Sequence, residues 1–134
     1  KELAKAFKFR RKQAMQLPSK TRFMAAQFIA FLDGELWREI AAHANSMASL
    51  LREETARFPE VVFAHPTQAS AVFAQIPKAW LKPLRETRFF YVWNPEKTLV
   101  RWSLGFDTTP EDIQALCKTL ADLSTAGTGC DCPL

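Results

Sequence analysis

The residue best suited to bind a ligand is Arg101, in the stretch TLVRWSLGFDTTPEDI from Thr98 to Ile113. The stretch alternates with the two-residue period of a β-strand, small or polar side chains on one face and bulky apolar ones on the other. The first set is Leu99, Arg101, Ser103 and Gly105, and the second is Val100, Trp102, Leu104 and Phe106. A guanidinium is a planar fork that binds a carboxylate through two parallel hydrogen bonds. The pattern alone leaves two interpretations open, a solvated strand face or an anion receptor held on a rigid element.

The two histidines are the next candidates for chemistry. His43 lies inside a predicted helix, in AAHANSM, where small neighbours favour a packed and hydrogen-bonded side chain. His65 precedes Pro66 at the end of a predicted strand, and nothing in the sequence pairs it with a nucleophile or a base. The chain also has no glycine-rich phosphate loop, no HExxH motif and no Gly-x-Ser-x-Gly elbow. The residues alone therefore define no catalytic centre.

Lys20, in QLPSK, is a candidate for a Schiff-base lysine. Such a lysine needs burial or a neighbouring cation to keep its amine uncharged, and Arg22 is two residues away. However, Pro18 and Ser19 beside it indicate an exposed helix start. The context therefore favours an ordinary surface lysine.

The three cysteines predict neither a metal site nor a disulfide framework. Cys117 lies on the apolar side of a predicted helix, which is typical of a small buried thiol. Cys130 and Cys132 form a Cys-x-Cys pair that could bind a soft metal, but two ligands without companions make a poor site. We therefore expect residues 127–134 to be a flexible tail. An odd cysteine count and the lack of a secretory signal suit a reducing cytoplasm.

The charge is concentrated at the start of the chain. The net charge of the 134 residues is +4, but KELAKAFKFRRK holds six cations against one acid. A basic end of this kind can bind nucleic acid or an anionic surface, or can simply be the solvated side of a helix. No apolar run approaches the ~18 residues that span a bilayer, so no membrane partner is expected.

The first half of the chain has the periodicity of helices. From residue 21 to residue 58 apolar side chains recur at three- and four-residue steps, as in Ile40, Ala44, Met47 and Leu51. Such a stripe packs on something larger. Asp33 before GELW predicts a helix start, so two helices should meet near Asp33 and Gly34.

The second half predicts a small sheet with two further helices. EVVFAHP, SAVFAQIP, RFFYVWNP and TLVRWSLGF have the composition of strands. PKAWLKPLRET predicts a short helix interrupted or ended near Pro83. The last helix should begin with Thr109 as cap, Pro110 at its first position and Asp112 as the capping-box acceptor. Its apolar stripe is Ile113, Leu116, Cys117, Leu120 and Leu123.

The predicted fold class is α+β: N-terminal helices followed by a small, mainly antiparallel β-β-α-β-β-α sheet with helices packed on one face. We expect residues 1–126 to form a single domain.

Four segments in this order resemble the C-terminal, small-domain portion of threonine aldolase-like enzymes, from about Phe7 to about Leu123. They are the run from FRRKQAMQLPSK through ELWREIAAHANSMASLL, then HPTQASAVFAQIP, FFYVW and VRWSLGFDTTPEDI. These enzymes belong to the β-eliminating lyase group of pyridoxal-phosphate (PLP) enzymes with the aspartate-aminotransferase fold. The resemblance implies cleavage of the Cα–Cβ bond of a β-hydroxy amino acid, giving glycine and an aldehyde.

The resemblance also implies residue roles. Arg101 would clasp the α-carboxylate of the amino-acid substrate, and Lys12, Lys20 or Arg22 would help to hold the PLP phosphate. The family's Schiff-base lysine, the aspartate facing the pyridine nitrogen and the ring-stacking histidine would lie upstream of Lys1, which argues against Lys20 in that role. One branch of the family has a glycine-rich stretch ending in arginine where this chain has QAMQLPSK, so the resemblance does not select among the three cations.

The implied partners are an N-terminal PLP-binding domain and further copies of the chain, because a small domain separated from its neighbour exposes apolar surface. Residues 1–134 alone are then expected to be inactive. A second function class is a stand-alone basic module that binds nucleic acid or an acidic protein. Such a module would need aromatic residues interleaved with cations on one face of a sheet. RFFYVW has this pattern only in part, because the alternation of Phe90 and Val92 predicts that both belong to the core.

Overall fold

The computed structural model describes residues 2–16 and 18–127, and the predicted tail with Cys130 and Cys132 lies outside the described residues. The chain divides into two compact units, Lys1–Trp37 and Arg38–Leu134. Helices come first and an antiparallel sheet with further helices follows, so the predicted α+β class is confirmed. None of the described helices is long and apolar enough to span a membrane.

The first unit contains two helices, α1 (Glu2–Gln13) and α2 (Thr21–Leu32). No residue of α2 is buried, although its sequence is rich in phenylalanine. The exposed large apolar side chains of the unit are Phe7, Phe9, Met15, Phe23, Met24, Phe28, Ile29, Phe31, Leu32, Leu36 and Trp37. The α2 part of the periodic segment predicted to pack on something larger is therefore accessible to solvent in this chain.

The helix is interrupted between α2 and α3 (Leu36–Thr55) at the predicted place, but the predicted helix cap at Asp33 is not the cause. Asp33 caps no helix: it ends α2 with an extended backbone and opens a short 3-10 turn, Asp33–Glu35. Gly34 and Glu35 both have positive φ, +68° and +62°. Glycine adopts that region without steric cost, so the helix is interrupted by backbone geometry and not by a side-chain cap.

Four antiparallel strands form the sheet of the second unit, in the order β1-β2-β4-β3. Their bounds are β1 Val62–Phe63, β2 Ala71–Gln75, β3 Tyr91–Asn94 and β4 Leu99–Ser103. One face of the sheet is covered by helices, and its side chains include Val72, Ala74, Val100 and Trp102, all buried. The helices contribute Ala48, Leu51, Leu84, Ile113, Leu116, Cys117 and Leu120 to the same core. The apolar stripes predicted for α3 and for the last helix are thus confirmed.

The fourth helix differs from the prediction at its proline. A short 3-10 turn, Lys78–Trp80, leads into α4 (Leu81–Thr87), which continues through Pro83. Pro83 is the third residue of α4, where the backbone N–H has no partner inside the helix and the ring costs little. The helix therefore neither ends nor breaks there.

The last helix, α5 (Pro110–Gly127), begins as predicted. The Thr109 backbone N–H donates to Asp112 Oδ2 (3.0 Å), and the Asp112 backbone N–H donates to Thr109 Oγ1 (3.3 Å). This reciprocal pair is a capping box with aspartate as the acceptor. The alternation that predicted β4 does not continue beyond its end: the strand stops at Ser103, and Phe106 is 68% exposed in the turn that follows.

Candidate functional site

Arg101 lies on the open face of the sheet between two aromatic residues. Strand pairing places Phe73 of β2 on one side of it and Tyr91 of β3 on the other. Directly opposed residues on one face of an antiparallel sheet are in contact range. The arginine is half-buried, whereas Tyr91 is exposed. The rigid strand predicted to hold this cation is therefore present, with aromatic residues on both sides.

The guanidinium of Arg101 is held by two neighbours. Its Nε–H donates to Ser103 Oγ at 2.9 Å, and its Cζ lies 5.6 Å from the ring centre of Trp93. That distance is within the range of a cation–π interaction. Among the described residues, no carboxylate pairs with Arg101, and its two terminal nitrogens make no hydrogen bond. A half-buried cation with two free terminal NH2 groups is suited to bind a planar anion.

Aromatic contacts continue from Trp93 across the open face. The rings of Phe73 and Trp93 meet edge to face at 5.5 Å, and those of His65 and Phe73 at 5.7 Å. Because β4 lies between β2 and β3, the first of these contacts has to span β4. Leu99 shares the face of Arg101 yet is only 8% exposed. The prediction that this face is small and polar is therefore wrong at Leu99.

On the opposite side of the sheet, a cavity of about 130 Å³ is lined by parts of α3, β4, α5 and the segment before β3. Asp112 and Arg88 form an ion pair at its rim. The hydrogen bond from the Thr109 backbone, with that from Arg88, holds the pKa of Asp112 below its ordinary value. The Trp102 indole N–H is buried and has no hydrogen-bond partner in the described part of the chain. The two charged residues that line this cavity therefore pair with each other.

The three cations implied in phosphate binding lie around the turn between α1 and α2. Lys12, Ser19 and Thr21 line one shallow groove, and Lys20 and Arg22 line its neighbour with the same two hydroxyl residues. All of these side chains are exposed. The first turn of α2 contains no acid and has no side-chain cap. This arrangement leaves helix N–H groups and cations together, which is the composition of a phosphate site.

His43 and Cys117, the other candidate residues, have contacts or burial that indicate structural roles. The imidazole Nε2 of His43 lies 2.8 Å from the Thr108 carbonyl oxygen. The predicted hydrogen bond of His43 is thus present, but its predicted tight packing is wrong because the side chain is exposed. Cys117 is a free, buried thiol, and burial raises its pKa. Within residues 2–16 and 18–127 no cluster of His, Cys, Asp and Glu side chains could hold a metal ion.

Two partners of Arg101 were missed from the sequence. Ser103 follows Arg101 by two residues on the same strand face, so the alternation contained the signal for that contact. Trp93 reaches Arg101 from another strand, and its place depends on a register shift between Val92 and Asn94. Nothing local in the sequence predicts that shift.

The fold and the open sheet face together define an α+β protein segment with one half-buried arginine framed by aromatic rings. No protein-family model matches the chain. Its sequence is 36% identical to a low specificity L-threonine aldolase of Pseudomonas aeruginosa, over 90% of this chain and 35% of that protein. It is also 36% identical to a low specificity L-threonine aldolase of a Pseudomonas species, over 75% of this chain and 33% of that protein.

A solved structure supports the same assignment at the level of the fold. The chain superposes on a Leishmania major threonine aldolase with a TM-score of 0.67 and 21% identity, over 73% of this chain and 29% of that one. The chain spans about a third of the length of the curated relatives it matches. These similarities confirm that it resembles the C-terminal portion of a threonine aldolase-like protein.

Proposed function

We propose that this chain supplies the substrate-carboxylate site of a PLP-dependent lyase of the threonine aldolase type. The reaction is retro-aldol cleavage of a β-hydroxy-α-amino acid to glycine and an aldehyde. The observation that carries the proposal is the free pair of terminal nitrogens on Arg101, held on the sheet face without an acidic partner among the described residues. The similarity to two L-threonine aldolases supports the substrate class.

The role of Arg101 follows from its chemistry. Two parallel, charge-assisted hydrogen bonds fix both the position and the plane of a carboxylate. Fixing the carboxylate of an α-amino acid restricts rotation about the bond to its Cα, and therefore sets the direction of the Cα–Cβ bond. Productive alignment of the reacting bond lowers the barrier because the orientation is established on binding. Arg101 is a substrate-binding residue in this proposal and transfers no proton.

The residues around the α1–α2 turn suit the phosphate of PLP. Lys12, Lys20 and Arg22 supply positive charge, and the uncapped first turn of α2 supplies N–H donors. PLP, when bound, serves as the electron sink for the carbanion that the cleavage leaves on Cα. Lys20 belongs to the phosphate set in this proposal, and the lysine that bonds the cofactor covalently comes from outside residues 1–134. On that basis residues 1–134 alone are catalytically inactive.

We further propose that the exposed apolar side chains of α1 and α2 pack against a PLP-binding domain or against further copies of the chain. Phe28 and Ile29 are 62% and 65% exposed, and burying such side chains is worth about 2 kcal/mol each. The proposed compartment is the cytoplasm, where a free thiol such as Cys117 stays reduced.

The test is kinetic and uses the PLP-loaded product of the complete reading frame that encodes this chain. Arg101→Lys keeps the charge but loses the planar fork, so the KM for L-threonine should rise about 100-fold, in line with loss of a bidentate charge-assisted pair. Arg85→Lys is the matched control, because Arg85 is exposed on α4 and its cation–π contact is with Phe89. An unchanged KM in Arg101→Lys would overturn the proposal.

The second candidate is a basic module that binds nucleic acid or an acidic protein. The exposed cations of α1 favour it, since Arg10, Arg11 and Lys12 crowd its last turn. Binding of this kind weakens steeply with salt, because it releases counterions. A fluorescence titration with a single-stranded oligonucleotide at two salt concentrations tests the nucleic-acid form of this module: salt-sensitive binding supports it, and no binding at low salt excludes it.

A further inference from the structure

The orientation of the Arg101 guanidinium is itself controlled by its neighbours. We propose that Ser103 and Trp93 are positioning residues, which hold this guanidinium so that its Nη1–Nη2 edge is the one offered to the substrate carboxylate. This inference rests on the proposed function and specifies the geometry of that site. Neither residue touches the substrate in this proposal, and both act through Arg101.

A guanidinium can grip a carboxylate along either of two edges. One edge is formed by Nε and one terminal nitrogen, and the other by the two terminal nitrogens. In this structure the Nε–H already donates to Ser103 Oγ at 2.9 Å. A second carboxylate bond at Nε would have to displace the hydroxyl, so only the terminal edge offers two free parallel donors. The serine therefore selects the edge on which a carboxylate binds.

The strand explains why Ser103 can do this. Residues two apart on a strand point to the same face and are separated by about 6.7 Å along it. An arginine side chain is long enough to lean along the strand over that distance, and Ser103 is the next residue of β4 on the same face. The hydrogen bond therefore sets the direction in which the side chain of Arg101 leans.

Trp93 restrains the same cation through its ring. Its centre lies 5.6 Å from Cζ of Arg101, and the ring in turn meets Phe73 edge to face at 5.5 Å. Phe73 is half-buried and contacts His65 at 5.7 Å. Phe73 of β2, itself in contact with His65, thus restrains the tryptophan that restrains the arginine. A lone exposed arginine would move among many rotamers, and ordering it would weaken ligand binding.

The first test is a measurement on the 134-residue chain. The side-chain Nε–H of arginine is visible by nitrogen-15 NMR, and a hydrogen bond slows its exchange with water. Ser103→Ala should speed the exchange of the Arg101 Nε–H at least about threefold, the effect of losing a modest hydrogen bond. Ser46→Ala is the control, because Ser46 bonds within helix α3. Equal exchange rates in Ser103→Ala and the unchanged chain would overturn the role of Ser103.

The second test separates this inference from the function on which it rests. In the PLP-loaded product of the complete reading frame, Ser103→Ala should raise the Kd of glycine about three- to tenfold. It should leave the Kd of ethanolamine unchanged, because ethanolamine lacks the carboxylate. Ser103→Thr should restore glycine affinity, and Trp93→Phe should retain more of it than Trp93→Leu. A merely structural loss would weaken both ligands alike.

Arg101→Lys is the reference variant in the same titrations. If it weakens glycine binding while Ser103→Ala and Trp93→Leu do not, the positioning roles are overturned and the proposed function stands. If Arg101→Lys leaves glycine binding intact, the carboxylate site is elsewhere and both proposals fail.

Discussion

Thr109 and Asp112 cap each other at the start of α5: each backbone N–H donates to the side chain of the other residue, at 3.0 and 3.3 Å. Arg88, which follows α4, pairs with the same aspartate. One carboxylate therefore closes the first turn of α5 and joins it to the end of α4.

Removal of the threonine cap should destabilise the fold measurably. We expect Thr109→Ala to lower the free energy of unfolding by about 1 kcal/mol, because the first turn of α5 loses the acceptor for one backbone N–H. Urea unfolding followed by circular dichroism measures the change. Thr119→Ala is a fair control, since Thr119 bonds to the Ala115 carbonyl within the helix. Equal losses in the two variants would contradict a specific capping role.

The stability of the chain should fall in acid through Asp112. Its pKa in the folded chain lies below the ordinary value of 3.8, chiefly because of the Thr109 backbone hydrogen bond and then Arg88. A depressed pKa means that the folded state binds the proton less readily than the unfolded state. The contribution is therefore complete well above pH 3.8 and disappears as the pH falls through the folded pKa.

The measurement is the urea midpoint as a function of pH in the unchanged chain and in Asp112→Asn. The variant should lose stability at neutral pH and show a shallower decline between neutral pH and acid. Glu111→Gln removes an exposed carboxylate from the same turn and serves as the control. Parallel curves for the unchanged chain and Asp112→Asn would count against this prediction.

The core beneath the sheet should be sensitive to loss of volume. Leu120 is fully buried on α5, so Leu120→Ala leaves a cavity and should cost about 3 kcal/mol. Gln114→Ala, on the exposed side of the same helix, should change stability by less than about 0.5 kcal/mol. Chemical denaturation of both variants tests the difference. A small loss in Leu120→Ala would show that α5 is not packed as described.

The exposed apolar side chains of the first unit should make the isolated chain associate. We expect light scattering after size-exclusion chromatography to give a mass above that of a monomer, falling as the sample is diluted. Phe28→Ser combined with Ile29→Ser should shift the mass toward the monomer. Phe106→Ser removes an equally exposed aromatic from the second unit and should have less effect. A monomer at the highest soluble concentration of the unchanged chain would contradict this prediction.

Local signals in the sequence were enough for most of the elements. Helix periodicity identified Ala44 and Leu51 as buried, and the spacing of Thr109 and Asp112 identified the capping box. Such features depend on residues three or four apart, whose side chains meet whatever the rest of the chain does. The strand pattern of β4 is also local, because it depends on residues two apart that point to the same face.

Features that depend on strand register could not be predicted in this way. Trp93 meets Arg101 only because β3 pairs with β4 and shifts register between Val92 and Asn94. Leu99 is buried although it shares the face of Arg101, and the residue pattern of β4 did not indicate this. Asp33 marked the right place for a helix break, but the positive φ of Gly34 and Glu35 makes the break. Each of these outcomes is set by tertiary structure or backbone geometry, which side-chain patterns do not report.

The two outer strands of the described sheet are poor templates for a further strand. β1 has two residues, and β3 carries a register shift and is followed by Pro95, which has no N–H to donate. Growth of the sheet from one molecule to the next is therefore blocked at both outer strands. If the isolated chain comes out of solution, we expect disordered precipitate and not fibres. Polar replacements on α2 would then improve its yield more than any change to the sheet.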